Sequence, residues 1–264
     1  IYKQLSDYSY PYMSFYLYNK PNFSLADRPS IVSYNFNEPS TLFNGMISPL
    51  IPYTMKGVVW YQGENNAFRH EEYGELFSLL ISDWRSKWDN DFSFYYVQIA
   101  PYFNYYNSNA PLREVQRKAL EVPKTGMVVT LDIGEKYDIH PSNKHDVGFR
   151  LARYALKNDY KIDLIDSGPL YMSQSIHEDV IKVFFKHLGD GLVLDENRYS
   201  EFEVAGIDKK YFVADVVNQN DFLEVFSDNV KNPLYVRYAW SDTSSASLFN
   251  SEGLPASSFN TENE

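Results

Sequence analysis

The sequence predicts an α/β domain built on a parallel sheet, followed by a small antiparallel β domain. Two patterns predict it. Strand-length apolar runs alternate with stretches of helical spacing from Phe43 to about residue 160, which implies parallel strands joined by right-handed crossovers. Near Ser167-Gly168-Pro169 the pattern changes to short β-type runs divided by Gly, Asn and Asp turns. With 264 residues the chain is long enough for one large core or two smaller ones, and the expected boundaries are 1–168 and 169–264.

Residues 1 to 40, rich in Tyr, Asn, Pro and Ser without a period, read as irregular covering structure. Gly57 to Tyr61 reads as a buried strand. Tyr73, Leu76, Phe77, Leu80, Ile81 and Trp84 then recur at helical spacing, predicting a helix over Glu71 to Trp88 with the Trp84 and Trp88 pair in the core. Phe94 to Ala100 is the second strand, Leu112 to Leu120 a short helix opened by Pro111, and Met127 to Leu131 a third strand ending at Asp132. The third helix follows His140-Pro141, with Val147, Leu151, Tyr154 and Ala155 on its apolar face and Arg150 and Arg153 off it. Beyond residue 169, strands are expected at Val180 to Phe185, Phe202 to Val204, Tyr211 to Val217, Phe222 to Phe226 and Leu234 to Tyr238. The Ser/Asn/Glu-rich tail from Thr243 is expected along the surface or frayed.

Composition excludes several chemistries. A formal charge of −11 argues against nucleic acid and anionic membranes as partners, since both demand basic surfaces. No apolar run approaches the roughly 18 residues of a membrane span, and no signal segment opens the chain. The absence of cysteine removes disulfides, thiolate nucleophiles and cysteine metal ligands. Aromatic residues make up 17 %, with 23 Tyr and 18 Phe; tyrosine suits sugar rings, and it suits strand cores equally well.

Two segments carry candidate chemistry. After the strand at Gly57 comes Gln62-Gly63-Glu64-Asn65-Asn66, a polar loop at the carboxyl end of a strand, where α/β sheets bind ligands. Asp138-Ile139-His140-Pro141 places a carboxylate two residues before an imidazole, the arrangement of a general base and its orienting group. Arg113, opening the second helix with Glu114 and Gln116, is expected near the same crevice as a substrate-binding group or a partner for Glu64. His145 and Asp146, with Asp132, Asp138 and His140, do not set tetrahedral metal spacing, so no metal and no other cofactor is expected. His70, His177 and His187 lack any partner pattern and read as structural.

These segments occur in a recognisable order. Leu42 to Ile47, Gly57 to Asn66, Asp132-Ile133-Gly134, Ile139-His140-Pro141, Lys144 and Gly148 to Leu151 resemble the sialate O-acetylesterase group of the SGNH hydrolases. Asn232 to Asp242 and Asn250 to Ser257 resemble that group's closing segment.

The resemblance implies a flavodoxin-like three-layer SGNH domain and a serine carbohydrate esterase acting on O-acetylated sialic acid or a related acetylated sugar or sialoglycan. It implies His140 as general base, Asn65 or Asn66 as oxyanion donor, and Gln62, Gly63 and Glu64 shaping the pocket. Asp138 is the nearest match to the orienting aspartate. Many SGNH enzymes place it three residues before the histidine, where this chain has Tyr137, so Asp132 is the second candidate. Exported relatives imply an extracytoplasmic location. The nucleophile block is not matched: Ser33, Ser40 and Ser48 lack the glycine context, Ser142 follows the histidine, and the block supplying the second oxyanion donor is missing too. The chain therefore reads as the carboxyl-terminal portion of such an enzyme, inactive alone. The alternatives are a glycan-binding protein that kept the cleft without the serine, and an acetylxylan-type esterase.

Overall fold

The computed structural model describes residues 40–51, 53–104, 109–195 and 200–263. The covering structure expected for residues 1 to 40 lies, apart from residue 40, outside them. The chain divides into two compact units, Ile1–Thr54 and Met55–Glu264. The described part of the first holds a π-helical turn, Phe43–Ile47, running into a 3-10 turn, Ser48–Leu50.

The second unit begins with three parallel strands in the order β1-β2-β3: β1 Gly57–Trp60, β2 Ser93–Val97 and β3 Thr125–Val128. All five residues of β2 are buried, as a central strand covered on both faces requires. Between β1 and β2 runs α1, His70–Trp88, whose Tyr73, Phe77 and Ile81 recur every four residues and bury one stripe on the sheet. Its Trp84 and Trp88 rings lie 6.0 Å apart, with Trp60 edge-on to Trp84. Leu76 lies off that stripe, 57 % exposed. The helix stops at Asp89, which takes a left-handed φ of 47° while its N–H returns to the Arg85 and Ser86 carbonyls.

On the other face α3, Lys144–Asn158, lays Val147 and Tyr154 against the sheet. The fit is close enough to demand glycine in β3: a Cβ at Gly126 would sit 2.4 Å from the Tyr154 ring. Arg150, expected off the apolar face, is instead buried beneath the strand ends, where it donates to the Val129 carbonyl and to both oxygens of Asp132.

The remaining strands are antiparallel. One sheet is ordered β4-β5-β10-β9: β4 Leu170–His177, β5 Val180–Lys186, β9 Asp215–Asn218 and β10 Phe222–Phe226. A second is ordered β13-β11-β7-β8: β7 Phe202–Ala205, β8 Phe212–Val213, β11 Tyr235–Tyr238 and β13 Phe259–Asn260. A short pair joins β6, Leu192–Leu194, to β12, Leu248–Asn250. The run expected at Tyr211 to Val217 is divided between the two sheets, Phe212–Val213 pairing with β7 and Asp215–Asn218 with β10.

The tail corrects the expectation of a surface or frayed segment. Leu248, Ala256, Ser257, Ser258 and Phe259 are buried, and β12 and β13 are both paired. Asn250 and Ser257 tolerate this burial because each finds a partner: Asn250 Nδ2 donates to the Ser167 and His187 carbonyls, and Ser257 Oγ accepts from Gln98 Nε2 at 2.9 Å. One hydrophobic core runs from Tyr73 and Phe94 of the α/β part to Phe202 and Phe259 of the β part.

Arg113 belongs to this junction. It lies on α2, Asn109–Lys118, and is completely buried, its Nη2 donating to the Ala239 and Ser241 carbonyls at 3.0 and 2.6 Å. Burial pushes its pKa down to about 10, opposed by the charges of Asp242 and Glu201, and the group is still a cation at neutral pH. Removing it strands carbonyls and acidic charge in a dry interface. Arg113→Ala is expected to lower unfolding free energy by about 3–5 kcal/mol, read from urea midpoints. Lys87→Ala, which breaks a half-exposed pair with Asp83, is expected to cost under about 1 kcal/mol. Equal losses in the two variants would remove Arg113 from this role.

Candidate active site

At the carboxyl ends of the parallel strands, the loop after β1 and the loop after β3 face each other across a cleft of about 420 Å³. It is lined by Tyr61, Gln62, Glu64, Asn65, Ile139, His140 and Lys144. A larger hollow of about 520 Å³ opens at the opposite ends of the strands, beside Ser93 and Thr125. Its hydroxyls are already committed, Ser93 Oγ and Tyr95 OH both donating to Asp159, and parallel sheets bind ligands at the other end.

The first loop turns sharply as β1 ends. Gly63 adopts φ 155°, ψ −25°, a combination only glycine holds comfortably, and a short 3-10 helix, Glu64–Arg69, follows. Gln62 Nε2 donates to Asn66 Oδ1 at 2.7 Å, and the Asn66 N–H closes on the Gly63 carbonyl. Asn66 is therefore tied back, whereas Asn65 is exposed and lines the cleft. Glu64 lines it too. Burial, then the Glu64 charge, raises the Tyr61 phenol to about 12, so it remains a neutral hydroxyl.

The second loop carries His140 on a framework of carboxylates. Glu135 Oε1 accepts from both the N–H and the hydroxyl of Ser142 at 2.7 Å, and Asp138 Oδ1 accepts from the backbone N–H of His140 at 2.8 Å. The hydrogen bond expected between Asp138 and the imidazole is not formed. A carboxylate two residues upstream reaches the main-chain N–H in an Asx turn, and its Oδ1 is held there and not against the ring. Asp132, the second candidate, is held by Arg150. Among the described residues no hydrogen bond reaches the His140 ring, which is exposed at the cleft.

Of the residues expected at the site, Gln62, Glu64, Asn65 and His140 line one cleft, Gly63 and Asn66 shape the turn beneath it, and Arg113 does not take part. Arg113 is a junction residue because its carbonyl partners lie in the C-terminal return, which motif reading cannot locate. Sequence reasoning missed Tyr61, Ile139 and Lys144 as lining groups. Lys144 sits over the Tyr61 ring at 5.5 Å and donates to the Pro141 carbonyl. Its place in the motif series next to His140 was the available signal. No three His, Asp or Glu side chains among the described residues converge as a metal site.

A parallel α/β sheet presenting an amide turn and a histidine loop at its strand ends is the SGNH-like architecture of the carbohydrate acetylesterases that this chain resembles. The comparisons agree. A family model for carbohydrate esterases, the sialic acid-specific acetylesterases, matches residues 30–157. The sialate O-acetylesterase of Mus musculus is 33 % identical over 165 residues, covering 54 % of this chain and 30 % of its own length. That of Homo sapiens is 31 % identical over 154 residues, covering 50 % and 29 %. A crystal structure of a carbohydrate acetylesterase from Xanthomonas citri matches with a TM-score of 0.80 at 37 % identity, over 84 % of this chain and 54 % of that one. Over residues 30–157 the chain thus resembles the sialic acid-specific acetylesterase family of carbohydrate esterases. The matched segment spans about 30 % of the curated relatives' length.

The Glu135 clamp gives the His140 loop a pH dependence. The Ser142 N–H, then its hydroxyl, hold the Glu135 carboxyl below the usual carboxylate range. A carboxyl more acidic in the folded state stabilises the loop above its unfolded pKa and loses that contribution as pH falls through the folded one. The Ser142 amide proton is expected to titrate by NMR below the ordinary glutamate range, and Glu135→Gln to flatten that titration. A wild-type resonance that ignores acid would exclude the clamp.

Proposed function

We propose that this chain is part of a serine carbohydrate esterase that removes O-acetyl groups from sialic acid or a related acetylated sugar. The observation that carries the reading is the convergence of Asn65 and His140 on one cleft from two separate loops.

The proposed chemistry assigns each group one task. A serine Oγ attacks the acetyl carbonyl carbon while its proton passes to the His140 imidazole. The carbonyl electrons move onto oxygen, and the Asn65 amide donates to that oxyanion. Collapse re-forms the carbonyl and breaks the bond to the sugar oxygen, which takes the proton from the imidazolium. Water repeats the sequence on the acetyl-serine and releases acetate. Asp138 serves by fixing the backbone of the His140 loop.

Among the described residues, none that lines the cleft is a serine. We infer that the nucleophile reaches the cleft on a segment paired beside β1. Among the described residues β1 pairs only with β2, and Val59 is 66 % exposed. A strand added there would end next to Gln62–Asn66.

Acetate release from an O-acetylated sialoside tests the reading in the protein carrying that segment. His140→Ala is expected to lower the rate by about 10²–10⁴-fold, and Asn65→Ala by about 10²–10³-fold. The 264-residue chain alone is expected to release none. An undiminished rate in His140→Ala rejects the assignment. The lack of a serine among the described cleft-lining residues also favours a second reading, a glycan-binding protein; saturable binding of the acetylated sugar without acetate release, the added segment present, would select it.

A further inference from the structure

The buried amide of Gln116 joins the ends of two parallel strands at the point where the Gln62–Asn66 turn begins. Gln116 lies on α2 and is 1 % exposed. Its Oε1 accepts from the Ile99 N–H at 2.9 Å, just beyond β2. Its Nε2 faces the Val97 carbonyl at 3.3 Å and the Gln62 carbonyl at 3.4 Å. The Tyr73 hydroxyl donates to the same Gln62 carbonyl at 3.1 Å. The amide also touches the turn sterically, since a Cβ on Gly63 would come within 3.1 Å of Nε2.

This position needs a neutral side chain that accepts on one side and donates on the other. A carboxylate would turn an oxygen toward two carbonyl oxygens, and a lysine or arginine would offer nothing to the Ile99 N–H. A terminal amide on a long stem meets both demands without burying a charge.

We propose that Gln116 is a positioning residue for the oxyanion turn. By holding the Gln62 carbonyl toward the interior, it keeps the Gln62 side chain on Asn66 and the Asn65 amide turned to the cleft. The proposal rests on reading that turn as the oxyanion site, but its main test needs no turnover.

The test is NMR on the isotope-labelled 264-residue chain, following the nuclear Overhauser contact between the Gln62 and Asn66 side-chain amides from pH 5 to pH 9, with tryptophan fluorescence reporting the fold. Gln116→Met supplies neither donor nor acceptor and is expected to lose the contact throughout. Gln116→Glu keeps the acceptor and regains a donor only when protonated, a form that burial beside two carbonyls favours above the ordinary carboxylate range, so it is expected to hold the contact at pH 5 and lose it on the alkaline side. Persistence of the contact in Gln116→Met, or its absence from Gln116→Glu at pH 5, overturns the proposal. Should Gln116→Met not fold, the pH dependence of Gln116→Glu alone decides. In a complete esterase the same displacement is expected to lower kcat by about 10²-fold with little change in KM. Absence of acetate release from every form would remove the proposed function and leave the contact result standing.

Discussion

A guanidinium cation carried into a dry interior makes demands on its surroundings that few other groups make. Arg113 meets them with the carbonyls of Ala239 and Ser241, drawn from the return after β11, and with the fields of Asp242 and Glu201. The backbone bends to comply, Ala239 taking a left-handed φ of 52°. The Asp242 carboxylate in turn accepts from the Asn109 N–H at the start of α2. Helix α2 is thereby fixed against the β part of the molecule, and through it the ends of β1 and β2. Half-exposed pairs such as Asp83–Lys87 have water as an alternative partner and contribute far less.

The cleft itself is held by neutral and main-chain hydrogen bonds more than by charge. Its lining includes one carboxylate, Glu64, and one ammonium, Lys144, which already donates to Pro141. Glu135 and Asp138 spend their oxygens on the backbone of the loop that carries the histidine. That division of labour suits acyl transfer, where a fixed dipole near developing negative charge avoids reorganisation during the reaction.

The parallel half of the fold was legible in the sequence because its signals are local. Tyr73, Phe77 and Ile81 repeat at four, and Phe94 to Val97 of β2 form an aromatic and apolar run. The cleft was legible because loops after parallel strands converge, so Asn65 and His140 could be placed together before their contacts were known. What escaped depends on long-range pairing. Strand β4 breaks its alternation with a bulge between Tyr171 and Ser173, and β12 and β13 are three and two residues long, below any periodic signal. The buried serines of the tail look like solvent-exposed residues until Gln98 and Tyr238 are seen to satisfy that segment. The imidazole's missing partner escaped for the opposite reason: adjacency in sequence suggested a side-chain contact, and the nearer main chain took it.

The burial of Ser257 and Phe259 ties the start of the fold to its finish. Gln98 meets Ser257 across 159 positions, and Arg113 meets Ser258 across 145. While a ribosome is still adding residues, the groups that neutralise the buried guanidinium do not yet exist. Contacts of such separation form slowly, and the aromatic face of the nascent sheet stays open until they do. Maturation of this region thus waits on the segment from Ala239 to Phe259 to emerge, and a chain cut before it leaves an unfinished interior.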